Sequence, residues 1–138
     1  MRILSMDVGE RRIGLAISDS FGWTAQGIET LIRRDDQYDH DYIRKILNQF
    51  QPQKIVIGLP KNMNGSIGPQ GEKVKAFADQ LKEYFTGEIV FWDERLTTVS
   101  AHKIMIEADV SRKKRKQKVD QMAAVLILQS YLDYINRK

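Results

Sequence analysis

The chain contains no cysteine, which excludes disulfides and thiolate metal sites. With two histidines in all, any metal has to be held mainly by oxygen, and that favours a hard cation. No apolar run approaches the roughly 18 residues a membrane-spanning helix needs. The N-terminus opens into a strand-like pattern and has no basic stretch followed by an apolar one, so a cytoplasmic location is the expectation. Internal repeats and low-complexity segments are also lacking.

What is present suits a globular α/β protein. A hydrophobic share of 42% supports a packed core, and a charged share of 29% supplies a soluble surface rather than a disordered chain. At 138 residues, residues 1–138 fit one domain, since a single core typically holds on the order of 100 to 200 residues. The net charge of +4 is modest, but six of the seven positions from Arg112 to Lys118 are basic. Such a run is either a solvated loop or a contact for a polyanion.

Met1–Asp7 and Arg12–Ser18 alternate apolar and polar residues around Gly9 and Glu10, which predicts two strands joined by a tight turn. A third strand is expected over Thr24–Ile32. Tyr42, Ile43, Ile46, Leu47 and Phe50 form one helical stripe within Tyr38–Phe50, ended by Pro52. Lys54–Leu59 (KIVIGL) reads as a buried parallel strand, followed by a glycine-rich loop over Gly58–Gly71. A helix over Glu72–Phe85, a strand over Glu88–Trp92, a helix from Thr98 to about Asp109 and a last helix over Val119–Ile135 complete the order β-β-β-α-β-α-β-α-α. Helices between the later strands imply parallel crossovers. The sheet should therefore be five-stranded and mixed, a three-strand antiparallel meander plus two parallel strands, flanked by helices.

Three acidic positions stand out. Asp7 ends the first strand two residues before Gly9, although an Asp-x-Gly turn alone is commonly structural. Asp93 and Glu94 follow the strand EIVFW, at the kind of strand end where open α/β sheets bind ligands. Side chains alternate, so only one of the two shares the face of Asp7. Asp120 lies near the start of the last helix, where a carboxylate also suits the helix dipole. Taken together, clustered carboxylates require a neutralising cation. Mg²⁺ accepts carboxylate oxygens while keeping waters, and a pair of such ions can cleave phosphodiesters.

The stretches MDVGERRIGLAISD, GLPKNMNGSIGPQG, DERLTT and VDQMAAVLILQSYL, in this order, resemble the YqgF or RuvX family. Its proposed activities are Holliday junction resolution and processing of the 5′ end of pre-16S ribosomal RNA. The resemblance implies a ribonuclease H-like fold and a divalent-metal nuclease, with catalytic and metal-binding acids at Asp7, Glu94 and Asp120 and magnesium or manganese (Mg²⁺ or Mn²⁺) as cofactor. Glu94 is preferred to Asp93 partly on this ground. The expected partner is structured RNA or branched DNA, with the small-subunit ribosomal precursor first and a four-way junction second. A non-catalytic ribosome assembly factor is the alternative of another class, and the chain is expected to be a monomer or a homodimer. An actin-like nucleotide-binding reading is set aside, because two lobes need about twice this length.

Candidate nucleic-acid ligands are Lys61, Asn62, Asn64 and Ser66 in the glycine-rich loop, Arg11, Arg12 and Arg95 beside the acids, and Arg112, Lys113, Lys114, Arg115 and Lys116 ahead of Asp120. Trp23 and Trp92 are expected to pack in the core. His40 and His102 are given no catalytic role.

Overall fold

The computed structural model describes the backbone of residues 1–96 and 112–137, and the side chains of 1–95 and 122–137. Its strands are β1 (Ile3–Val8), β2 (Arg12–Ser18), β3 (Ala25–Ile32), β4 (Lys54–Leu59) and β5 (Glu88–Asp93), and its helices α1 (Asp36–Phe50), α2 (Pro69–Leu81) and α3 (Arg112–Ile135). A 3-10 turn, Glu94–Leu96, follows β5. The strands form one sheet in the order β3-β2-β1-β4-β5. β1 is antiparallel to β2 and parallel to β4, and β4 is parallel to β5. This is the expected meander with two parallel strands added.

Both faces of the sheet are covered, which explains the nearly continuous apolar runs in β1 and β4. Leu4, Met6 and Val8 join Ile13, Leu15, Ile55 and Ile57 in one core, against Ile43 and Ile46 of α1 and Val74, Phe77 and Leu81 of α2. Ile3 points the other way and packs with Ala16, Val56, Ala124, Ile127 and Leu128 beneath α3.

The seat of α3 fixes its direction. Ser5 Oγ donates to the Ala124 carbonyl at 2.7 Å, while further along α3 Lys54 Nζ donates to Tyr131 Oη at 2.7 Å. Lys54 is level with Ile3 in the sheet. The helix therefore runs antiparallel to β1 and presents its N-terminal turns to the end where β1, β4 and β5 finish. Among the described residues, no helix is long and apolar enough to cross a membrane.

Several boundaries differ from expectation for identifiable reasons. α1 begins at Asp36 because the Asp35 carboxylate accepts from the Tyr38 amide at 2.8 Å, an N-cap two residues earlier than the apolar stripe suggests. It ends with Gln51 in the left-handed region, φ 49°, ahead of Pro52. α2 starts with Pro69 in its first turn and stops at Leu81, so it is displaced toward the N-terminus relative to Glu72–Phe85. α3 starts at Arg112, so the basic run occupies its first turns instead of a preceding loop. Lysine, arginine and glutamine are good helix formers, and no glycine or proline interrupts them. The helix expected from Thr98 to Asp109, including His102, lies outside the described residues.

Trp23 is also not in the core. It is 67% exposed, because it lies in the turn before β3 whose amides, its own and that of Thr24, donate to the Asp19 carboxylate. Trp92 does pack inward, edge-on to Tyr131 with ring centroids 5.6 Å apart.

Leu128 is fully buried on the face of α3 that packs against the sheet. Leu128→Ala is expected to lower unfolding free energy by about 2–5 kcal/mol, measured by urea denaturation.

Candidate active site at the ends of β1, β4 and β5

Alternation along β1 puts Asp7 on the face of Ile3 and Ser5, beneath α3. Its neighbour in register on β2 is Gly14. On β4, one step past the Met6–Ile57 pair, the adjacent residue is Gly58. A half-buried carboxylate thus stands in the middle of the sheet between strands that carry no side chain at its level.

Gly58 does more than leave space. A Cβ placed on it would lie 2.6 Å from Ile127 Cδ1 and 3.5 Å from Cγ and Cδ of Glu94. The volume a side chain would fill is therefore taken by Ile127 of α3 and by the Glu94 carboxyl group, which sits over β4 beside the strand of Asp7. The pairing of β5 with β4 ends at Leu59–Asp93. Trp92 faces α3, Asp93 faces away, and Glu94 returns to the α3 side as the 3-10 turn begins.

Asp93 is engaged elsewhere. Its Oδ2 accepts from Arg95 Nη2 at 2.6 Å and its Oδ1 from Arg95 Nε and the Arg95 amide, each at 3.0 Å. The Arg95 guanidinium, with a smaller contribution from Lys61, holds the Asp93 carboxyl below the usual aspartate range despite partial burial. The geometry thus separates the adjacent acids: Asp93 is paired with Arg95, and Glu94 lies over Gly58.

The remaining expected ligands divide clearly. Arg95, besides holding Asp93, donates to the carbonyls of Asn62 and Met63 at 3.3 and 3.4 Å, so it ties the glycine-rich loop to the end of β5. Asn62, Asn64 and Ser66 bond one another: Asn62 Nδ2 donates to Ser66 Oγ, and the Ser66 amide and hydroxyl both donate to Asn64 Oδ1. These polar groups hold the loop's shape. Gly65, at φ +85°, makes its turn. Arg11 is exposed at the tip of the β1–β2 hairpin, which is closed by the Gly9 amide donating to the Arg12 carbonyl at 2.8 Å.

Asp120 lies on α3, one turn before Ala124. Its side chain, and those of Arg112, Lys113, Lys114, Arg115 and Lys116, lie outside the described residues. Among the described residues, no three His, Asp or Glu converge as a metal site. Sequence reasoning alone misses the two glycines flanking Asp7. Their signal is a glycine inside each of two strand-like runs, RIGLAIS and KIVIGL.

Two outcomes follow from this geometry. Gly58→Val crowds Ile127 and Glu94 and is expected to cost about 1–3 kcal/mol in urea unfolding, whereas Gly58→Ala costs less because the terminal methyl of Ile127 can swing aside. Asp93→Asn lowers the melting temperature at pH 7. The Asp93 carboxyl titrates below its ordinary 3.8 in the folded chain, so its contribution is full above that value and lost as pH falls through the depressed one. The melting difference between wild type and Asp93→Asn should therefore vanish in strong acid.

The family model described as "RuvX: Holliday junction resolvase" matches residues 1–134. The chain is 58% identical, over all of both chains, to a "Putative pre-16S rRNA nuclease" of Clostridium tetani. It is 56% identical to a relative of the same name in Halalkalibacterium halodurans, over 96% of each. Among solved structures, T. thermophilus RuvC in complex with a Holliday junction substrate superposes with a TM-score of 0.60 at 10% identity, over 98% of this chain and 96% of that one. The Fowlpox virus resolvase in complex with Holliday junction DNA gives 0.59 at 13% identity, over 99% of each. These likenesses identify the mixed sheet and its helices as a ribonuclease H-like fold. By the match over nearly its whole length, the chain belongs to the RuvX, or YqgF, family.

Proposed function

We propose that this chain is a divalent-metal-dependent nuclease that hydrolyses phosphodiester bonds of a small-subunit ribosomal RNA precursor in the cytoplasm, with Asp7, Glu94 and Asp120 as its acidic cluster. The observation that carries this reading is the Gly58 gap, which lets the Glu94 carboxyl group lie over β4 beside the strand of Asp7. The position of Asp120 along α3 supports the third member. Ala124 is seated on Ser5. One helical turn back from Ala124 moves about 6 Å toward the end of β1, and two residues on from Ser5 move about 6.6 Å in the same direction. Residue 120 therefore comes level with Asp7.

The residues suit the proposed cofactor. Their donors are carboxylate oxygens, the preference of Mg²⁺ or Mn²⁺, and the Glu94 carboxyl lies over Gly58, on the strand beside Asp7. When bound, such an ion supplies Lewis-acid activation of water and charge stabilisation at the leaving oxygen. The chain's own contribution is placement. Asp7 is carried on the central strand, and the Asp93–Arg95 pair anchors the turn from which Glu94 projects. The ordered loop around Asn62 is tied to that turn through Arg95. The basic residues Arg112–Lys116 are proposed to meet the nucleic-acid backbone beside the acids.

Relatives more than half identical over nearly their full length carry the ribosomal RNA name, which favours RNA. The family description favours a four-way DNA junction as the second reading. Junction resolution needs two matched cuts and hence a homodimer, while a monomer suffices for single-site trimming.

Cleavage of a pre-16S 5′ fragment, single-stranded RNA and a four-way junction, each with Mg²⁺, Mn²⁺ or chelator, tests the proposal. The precursor should be cut with either metal and not with chelator. Asp7→Asn, Glu94→Gln and Asp120→Asn should each slow cutting roughly 10²–10³-fold, the scale of losing one group that stabilises developing charge. Preferential cutting of the junction would assign the second reading. If no substrate is cut and Asp7→Asn complements cells lacking the gene, the chain is a binding factor and not a nuclease.

A further inference from the structure

On the far side of the hairpin from α3 lies an open cleft of about 580 Å³ lined by Glu10, Arg11, Arg12, Ile32, Arg33, Arg34, Asp36, Asp39 and Lys73. Five of these are cations and three are anions, so the lining is net positive. Arg33 is a strut. Its Nε donates to the buried Asp39 carboxylate at 2.9 Å and its Nη1 to the Gly9 carbonyl at 2.8 Å. Asp39 also accepts from the Arg34 amide at 2.9 Å. The corner between β3 and α1 is thereby clamped to the β1–β2 hairpin.

The remaining cations are presented differently. Among the described residues, the ion pairs in the cleft are Arg33–Asp39 and Lys73–Glu10, and none engages Arg11, Arg12 or Arg34. The Arg34 guanidinium lies over the Tyr38 ring, 4.5 Å from its centroid, which leaves its edge available for planar, bidentate contact. The exposed guanidinium groups of Arg11 and Arg34, gathered in one net-positive cleft, suit the oxygens of an anion.

We propose that this cleft binds a backbone phosphate of the nucleic acid a short distance from the bond being cut, with Arg11 and Arg34 as ligands and Arg33 and Asp39 as positioning residues. The inference deepens the nuclease reading and rests on it for the identity of the polyanion. Continuity with the acids favours a nucleic-acid strand over a small free anion. Gly9, whose carbonyl anchors Arg33, is two residues past Asp7, roughly 6.6 Å along the strand direction. A chain crossing the end of β1 at the acids meets the cleft next. The basic start of α3 lies on the other side of the sheet, so the strand is held on both sides of the acidic cluster.

Binding of labelled precursor RNA in chelator, followed by fluorescence anisotropy over a range of salt, tests this without cleavage. Arg11 and Arg34 are exposed, so Arg11→Ala/Arg34→Ala should fold normally, as circular dichroism can verify. The double variant is expected to bind roughly tenfold or more weakly, the scale of a charge-assisted hydrogen bond. The slope of log K against log salt should shrink by about 0.7 for each phosphate that the variant no longer neutralises. Lys45→Ala/Lys82→Ala removes the same charge from surface away from the cleft and should change neither quantity. Equal affinities and slopes for the two double variants would overturn the proposal, as would failure of the wild type to bind RNA. If binding weakens as expected but no metal supports cleavage, the cleft stands and the nuclease reading falls.

Discussion

The close approach of α3 to the sheet is the constraint on which the rest of the arrangement depends. A serine hydroxyl can reach a main-chain carbonyl within a helix, as Ser5 reaches Ala124 at 2.7 Å, only when helix and strand are separated by little more than small side chains. The residues beneath and on the helix meet that requirement: Ser5, Gly14, Ala16 and Gly58 in the sheet, and Ala123 and Ala124 on α3. Ile127 fills the hollow over Gly58. The same small residues that seat the helix put glycines on both strands beside Asp7, so the packing solution and the candidate site share one cause.

Two polar clamps hold the surroundings of that site. On one flank the buried Asp39 gathers Arg33 and the Arg34 amide, and Arg33 reaches on to the Gly9 carbonyl. Burying a carboxylate is costly unless it is paired and hydrogen-bonded, and Asp39 is both, so the β3–α1 corner and the hairpin after Asp7 are constrained together. On the other flank Asp93 and Arg95 form a pair on the surface at the end of β5. Its energetic value is limited by solvent, and its effect is geometric: it sets the turn that returns Glu94 toward Gly58.

Much of this is legible in the chain. Alternation and β-branched runs locate the strands to within a residue or two, and the alternation of helices with later strands implies the mixed sheet. The start of α3 is harder to find, because a basic run suggests a solvated loop by its charge while its helix propensity extends the helix through it. Asn62, Asn64 and Ser66 look like donors for a ligand because their mutual hydrogen bonds depend on a turn at Gly65 that composition does not reveal. Trp23 precedes the strand in both the expected and the observed bounds, and its exposure follows from the turn that the Asp19 carboxylate closes.

The choice between Asp93 and Glu94 shows where such reading ends. Alternation says that one of them faces Asp7, but past the last paired residue of β5 it no longer says which. The decision comes from what stands opposite, a glycine for Glu94 and an arginine fork for Asp93, and that requires the register of β4 against β5. Asp7 lies in register with Gly14, and Glu94 lies over Gly58. A carboxylate beside an interior strand glycine is therefore a better guide to a candidate site than acidity or sequence spacing alone, because the glycine gives up packing that the fold would otherwise use.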